Sequence, residues 1–162
     1  MATLTVFKYP TPEGAAALLS KLEMMQKSEL IKIQDAAVVS WPVGAKAPKT
    51  KQAVNLTAMG ALDGAFWGML FGLIFFVPFF GLAVGAAFGA LGGKMADYGI
   101  SDDFIKKTRD QVTEGTSALF LMTSAAVMDK VVEQLKGEDF ELISSNLTKE
   151  QEDNLMAAFK QQ

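Results

Sequence analysis

The sequence predicts an α+β fold: a ferredoxin-like split-βαβ sheet domain carrying an inserted apolar helical hairpin closed by a glycine zipper. Three observations predict it. Residues 1–56 and 99–162 both have mixed, soluble α/β character, and each contains a strand-helix-strand pattern. Between them Gly64 to Gly93 is a run of 30 residues without a charge, GAFWGMLFGLIFFVPFFGLAVGAAFGALGG. Finally, eight of the fourteen glycines fall on two ladders of period four inside or beside that run. The expected organisation is therefore one α/β domain from 1–56 with 99–162, and a membrane-type hairpin over 57–98.

In the first flank, Thr3 to Tyr9 alternates, with Leu4 and Val6 on one side, and reads as a strand. Thr11 is placed to cap a helix that has Pro12 at its first position. Ala15, Leu18, Leu19, Leu22 and Met25 make its apolar face, with Lys21 and Glu23 off it. Leu30 to Val43, rich in Ile, Val and Trp, reads as the second strand. Gly44 to Lys51, GAKAPKTK, reads as a basic linker.

In the second flank, Ser101 caps a short helix over Asp102 to Val112, with acids in its first turn. Glu114-Gly115 is a turn, and Ser117 to Met122, SALFLM, reads as a buried strand. Ser124 caps a helix with Val127, Val131, Val132 and Leu135 on its apolar side, ended by Gly137. Phe140 to Ser145 is the next strand. Thr148 to Gln151 is a capping box opening a last helix, with Leu155, Met156 and Phe159 on one stripe. Two such βαβ units close into a four-stranded sheet backed by two helices, the split-βαβ or ferredoxin-like arrangement. Each half alone has too few strands to bury a core.

Within the insertion, Pro78 breaks the apolar run into two arms and marks the hairpin turn. Gly60, Gly64, Gly68 and Gly72 form one ladder; Gly81, Gly85, Gly89 and Gly93 form the other. An interior helical glycine costs about 1 kcal/mol against alanine, so eight cost roughly 8 kcal/mol. Close approach of two helix backbones, which needs a small residue at every fourth position, offsets that cost. One antiparallel register pairs Gly72 with Gly85, Gly68 with Gly89 and Gly64 with Gly93. The same register sets Asp63 beside Lys94 as a charge pair. The remaining apolar surface, Phe66, Leu70, Phe71, Ile74, Phe80, Val84 and Phe88, is free to face lipid or another copy. As helices the arms Thr57 to Val77 and Phe79 to Ala96 measure roughly 31 and 27 Å, against a hydrocarbon core of about 30 Å. The turn at Pro78 has no polar residue, so spanning, deep penetration without full crossing, and burial of the hairpins against each other in a large oligomer all stay open. Lys46, Lys49 and Lys51 before the run, and Lys94, Lys106, Lys107 and Arg109 at or after its end, place both flanks and both termini on the cytoplasmic side of the inner membrane.

Composition narrows the chemistry. Net charge is −3 and no basic field exists, which argues against nucleic acid. Cysteine and histidine are absent, which removes disulfides, thiol catalysis, Cys/His metal or haem sites and a Ser-His-Asp triad. Met1 to Tyr9 has no basic, apolar leader character. Asp102-Asp103 and Glu150 to Asp153 fall in first helical turns, where acids favour the positive end of the dipole. Met24-Met25 reads as core, and Trp41 and Trp67 as apolar packers or interface anchors. No catalytic residue, metal site or cofactor is expected.

The motifs Gly64-Ala65-Phe66-Trp67-Gly68, Asp97-Tyr98-Gly99-Ile100 and Gly115-Thr116-Ser117-Ala118-Leu119 resemble those of a bacterial and archaeal family of unknown function. Its members are described as predicted membrane proteins with a glycine-zipper hairpin. The similarity runs from Asp35–Trp41 to the LTKEQEDNL helix near the end. The resemblance implies membrane association and no established catalytic residue. The reading that follows is a membrane-associated, self-assembling, non-enzymatic protein, a scaffold or envelope-stress component that partners a lipid bilayer and further copies of itself. A channel made by hairpin oligomers would want polar residues along one arm, and few are present. A small-ligand regulatory module would want a polar glycine-rich loop at a strand end, and Gly115-Thr116-Ser117 is the candidate.

Overall fold

The computed structural model describes residues 2–28, 33, 35–46, 48–52, 64–76, 95–135 and 140–159. Five strands form one sheet: β1 (Ala2–Tyr9), β2 (Asp35–Ser40), β3 (Lys49–Gln52), β4 (Ser117–Ser124) and β5 (Glu141–Asn146). Their order is β3-β2-β4-β1-β5, and every neighbouring pair is antiparallel. The α-helices are α1 (Gly14–Lys27), α2 (Gly64–Phe71), α3 (Asp102–Gln111), α4 (Ala125–Gln134) and α5 (Lys149–Phe159); α2 continues as a π-helical turn, Gly72–Phe76.

The connections interleave. β1 and β2, joined through α1, lie on either side of β4. β4 and β5, joined through α4, lie on either side of β1. The two central strands are thus β4 and β1, and helices cover both of their faces. β4 is buried from Ser117 to Thr123, so its apolar run follows from burial on both sides. Alternation then sorts its residues. Leu119 and Leu121 join Phe7, Tyr9 and Ala36 under α1 and α4. Ala118, Phe120 and Met122 join Leu4, Val6, Ala37 and Val39 beneath α2, the π-turn, α3 and α5.

On the first face the helices are amphipathic in the ordinary way. Ala15, Leu18 and Leu22 of α1 and Val131 of α4 point inward, with Leu19, Met25, Val127 and Val132 partly buried. Ser124 caps α4 by accepting from the Val127 amide at 3.3 Å. On the other side Ser101 caps α3 through the Phe104 amide at 3.2 Å. The Thr148–Gln151 capping box opens α5, with both reciprocal bonds formed at 2.9 and 3.1 Å.

Four local expectations are corrected. α1 begins at Gly14, and Glu13 precedes it without a side-chain cap. The Ala15 amide is instead satisfied from β4, where Ser117 Oγ accepts at 2.9 Å and donates to the Thr11 carbonyl at 2.7 Å. A cap supplied from another strand cannot be read from local spacing. The second strand stops at Ser40, because Pro42 has no donor and Gly44, at φ +88°, turns the chain away. Part of the basic linker is a strand: Lys49–Gln52 pairs with Ala37–Ser40 at the sheet edge. KTKQ carries no apolar signal, and lysines are how proteins keep an edge strand from pairing further. Met24 is 70% exposed rather than core.

Candidate functional site: the apolar segment and its seat on the sheet

The feature to explain is the uncharged segment, of which Gly64 to Phe76 is described. Helix α2 and the π-turn lie against the sheet. Phe66, Trp67, Leu70, Phe71, Leu73, Ile74 and Phe75 are all buried. Trp67 stacks on Phe71 with ring centroids 5.7 Å apart and an interplanar angle of 27°. Both meet Phe120 of β4 edge-on, at 6.4 and 5.0 Å. Phe66 meets Trp67 edge-on at 5.0 Å, and Phe75 meets Trp41 edge-on at 6.3 Å. These are the offset and edge-to-face geometries that the ring quadrupole favours. Phe66, Leu70, Phe71 and Ile74 therefore do not face lipid or another copy here. A uniformly apolar helix has no periodic pattern, so its sequence does not say which side will be covered. Phe80, Val84 and Phe88 lie outside the described residues.

The end of the segment is held by a charge. Arg109 of α3 donates from Nε to the Ile74 carbonyl at 2.9 Å and from Nη2 to the Leu73 carbonyl at 2.5 Å. Proline at position 78 has no amide hydrogen and so offers a donor to neither carbonyl. The guanidinium fork gives both carbonyls a charge-assisted donor in an apolar setting, where an unpaired acceptor costs about 1–3 kcal/mol. The sequence places Arg109 only as a basic flank residue, and no local signal ties it to carbonyls 35 and 36 residues away. Another polar atom is unanswered: the buried Trp67 Nε1 has no hydrogen-bond partner among the described residues.

The helical turn Met95–Asp97 brings the chain back to the α/β domain. It ends in a Schellman motif: the Ile100 amide donates to the Met95 carbonyl at 2.9 Å and the Gly99 amide to the Ala96 carbonyl at 3.0 Å. Gly99 sits at φ +90°, and a Cβ there would come within 2.7 Å of Gln151 Oε1 and 3.2 Å of Leu147 Cγ. Its carbonyl accepts from Ser145 Oγ. The motif Asp97-Tyr98-Gly99-Ile100 is thus a helix stop docked onto β5 and the start of α5.

Of the glycine ladders, Gly64, Gly68 and Gly72 are described. Gly68 is exposed, and a Cβ there would meet nothing within 4 Å among the described residues. Gly60, Gly81, Gly85, Gly89 and Gly93, the Asp63–Lys94 pair and Pro78 lie outside the described residues, as do the contacts expected between the arms. Lys46, Lys49, Lys51, Lys106 and Lys107 are exposed. The Gly115-Thr116-Ser117 loop is committed to the fold. Gly115, at φ +86°, makes the turn, and Thr116 Oγ1 bonds the Thr113 amide and carbonyl at 3.0 and 2.6 Å. Ser117 Oγ serves α1 as described. The acids in α5 act locally, Asp153 pairing with Lys149 at 3.3 Å. Among the described residues no group of three His, Cys, Asp or Glu side chains could hold a metal ion, and no helix is long and apolar enough to cross a membrane.

The sequence model of a family described as "Protein of unknown function (DUF1269)" matches residues 61–160. The match takes in the whole uncharged run and continues through β4, β5 and α5. No curated protein and no solved structure matches the chain.

Proposed function

We propose a membrane role for this chain, which belongs to the DUF1269 family: a membrane-associated, self-assembling, non-enzymatic protein, a scaffold or envelope-stress component. Its α/β domain is ferredoxin-like, and the inserted segment is the anchor, a glycine-zipper hairpin at the cytoplasmic face of the inner membrane. The observation that carries this reading is the uncharged 30-residue run with glycines at every fourth position in both arms. The interleaving of β1-α1-β2 with β4-α4-β5 supports the split-βαβ reading of the domain. Exposed lysines before and after the segment support its orientation. Gly68, exposed and with nothing among the described residues within 4 Å of a Cβ, supports a ladder face turned away from the sheet.

The segment then has two competing seats. Phe66, Leu70, Phe71 and Ile74 can cover the sheet, or they can enter the bilayer, and the same side chains serve both. Vesicle flotation combined with Trp67 fluorescence in a Trp41→Phe background tests this. The expected result is flotation of the full chain and quenching of Trp67 by brominated lipid. Flotation without quenching moves the anchor to the second arm, Phe79 to Ala96. A chain that neither floats nor resists carbonate extraction from membranes overturns the reading.

A further inference from the structure

The face of the sheet under α1 and α4 is apolar at Phe7, Tyr9, Leu119 and Leu121 but changes character at one end. There the cross-strand pairs Thr3–Asn146 and Thr5–Ser144, followed by Leu142, form the floor of a groove between β5 and α4. Met128 and Asp129 of α4 form its wall, and its volume is about 170 Å³. Thr3 Oγ1 donates to Asn146 Oδ1 at 2.9 Å. Thr5 is 1% exposed, and its buried Oγ1 has no partner among the described residues. Valine has the same shape and the same preference for a strand, and it would fill this position without an unanswered hydroxyl. A buried hydroxyl beside a polar groove is what a binding site needs and a packed core avoids.

We propose that this groove binds a small neutral polyol. Four of the seven lining residues are hydroxyl or amide side chains, each able to donate and accept, which suits vicinal hydroxyls. Asp129 is the charged lining residue, so phosphates and carboxylates are disfavoured, while a carboxylate accepts readily from a hydroxyl. Met128 and the half-exposed Leu142 offer apolar surface to the carbon skeleton. At about 30 Å³ per water molecule the groove holds roughly six waters, the size of a compact polyol. The inference is independent of the membrane reading, since none of these residues belongs to the apolar segment.

The test is titration of the isotope-labelled full chain, in a detergent without a sugar headgroup, with glycerol, myo-inositol and D-glucose. Ethanolamine and inorganic phosphate are run beside them. The expected result is saturable shifts of the amides of Thr3 to Val6, Met128 to Asp129 and Leu142 to Asn146 with at least one polyol, and none with phosphate. Thr5→Val is expected to melt no lower than the wild type yet to bind the polyol at least tenfold more weakly, with Thr5→Ser retaining binding. Absence of saturable shifts with all three polyols, or unchanged affinity in Thr5→Val, overturns the proposal. Binding of ethanolamine alone, lost in Asp129→Asn, overturns it in favour of an amine site.

Discussion

The two faces of the sheet are covered by different kinds of sequence. Under α1 and α4 the cover is amphipathic: Leu18, Leu22 and Val131 point inward while Lys21, Glu133 and their neighbours stay in water. Over the other face lies a segment with no polar side to turn outward, flanked by α3 and α5, which bury Phe104, Ile105 and Leu155. The first face holds itself by pattern. The second holds an apolar strand of chain by aromatic geometry around Phe120 and by a single guanidinium at its end. The difference teaches that hydropathy alone does not distinguish a membrane segment from a piece of core. A helix buried on one side and merely apolar on the other satisfies either solvent.

The comparison is most strongly broken by truncating the aromatic cover. Trp67→Ala is expected to destabilise the domain by about 3–5 kcal/mol in chemical denaturation, and Leu22→Ala on the opposite face by about 2–5 kcal/mol. The faces separate in a second measurement: Trp67→Ala, by loosening the segment from the sheet, is expected to raise the membrane-bound fraction in flotation, and Leu22→Ala to leave it unchanged. Equal flotation of the two variants contradicts the idea that sheet and bilayer compete.

Arg109→Leu comes next. It removes two charge-assisted bonds to carbonyls in an apolar setting, an expected loss of about 2–3 kcal/mol. Arg109→Lys keeps the charge without the fork and is expected to recover only part of this. Full recovery by lysine in the same denaturation assay shows that charge, not bidentate geometry, holds the segment.

A smaller effect is expected at the helix stop. Gly99→Ala places a side chain at φ +90° and against Gln151 and Leu147, an expected loss of about 1–2 kcal/mol. Amide hydrogen exchange in Ile100 to Ile105 and around Ser145 locates that loss. The smallest effect on the fold belongs to Gly68→Leu. With nothing among the described residues within 4 Å of a Cβ, folding stability is expected to stay within about 0.5 kcal/mol. Crosslinked oligomer in membranes is expected to fall sharply while Met69→Leu is silent. Unchanged assembly in Gly68→Leu removes the ladder from the self-association reading.

What was legible in the sequence is whatever rests on local chemistry. Ser101, Ser124 and Thr148–Gln151 announce helix starts, because a cap is made within three or four residues of itself. The alternation of Leu4 and Val6 and the apolar run of Ser117 to Met122 announce strands, because side-chain period and burial are properties of a short segment. The strand-helix-strand pattern of each flank was legible in the same way, and the sheet joins strands from both flanks. The edge strand Lys49–Gln52 was not legible, since only its pairing with β2 defines it.

Only the tertiary structure decided where the apolar segment goes and what secures it. Ser117 caps a helix 102 residues away in sequence, and Arg109 answers carbonyls 35 and 36 residues away, because chain folding sets donor beside acceptor regardless of spacing. Thr5 and Ser144 meet across β1 and β5 in the same way. Gly64 to Phe76 is apolar on every side, so no direction for it to face follows from its sequence; the buried ring of Phe120 and the sheet surface around it decided that, by offering complementary area that a periodic pattern was never needed to specify.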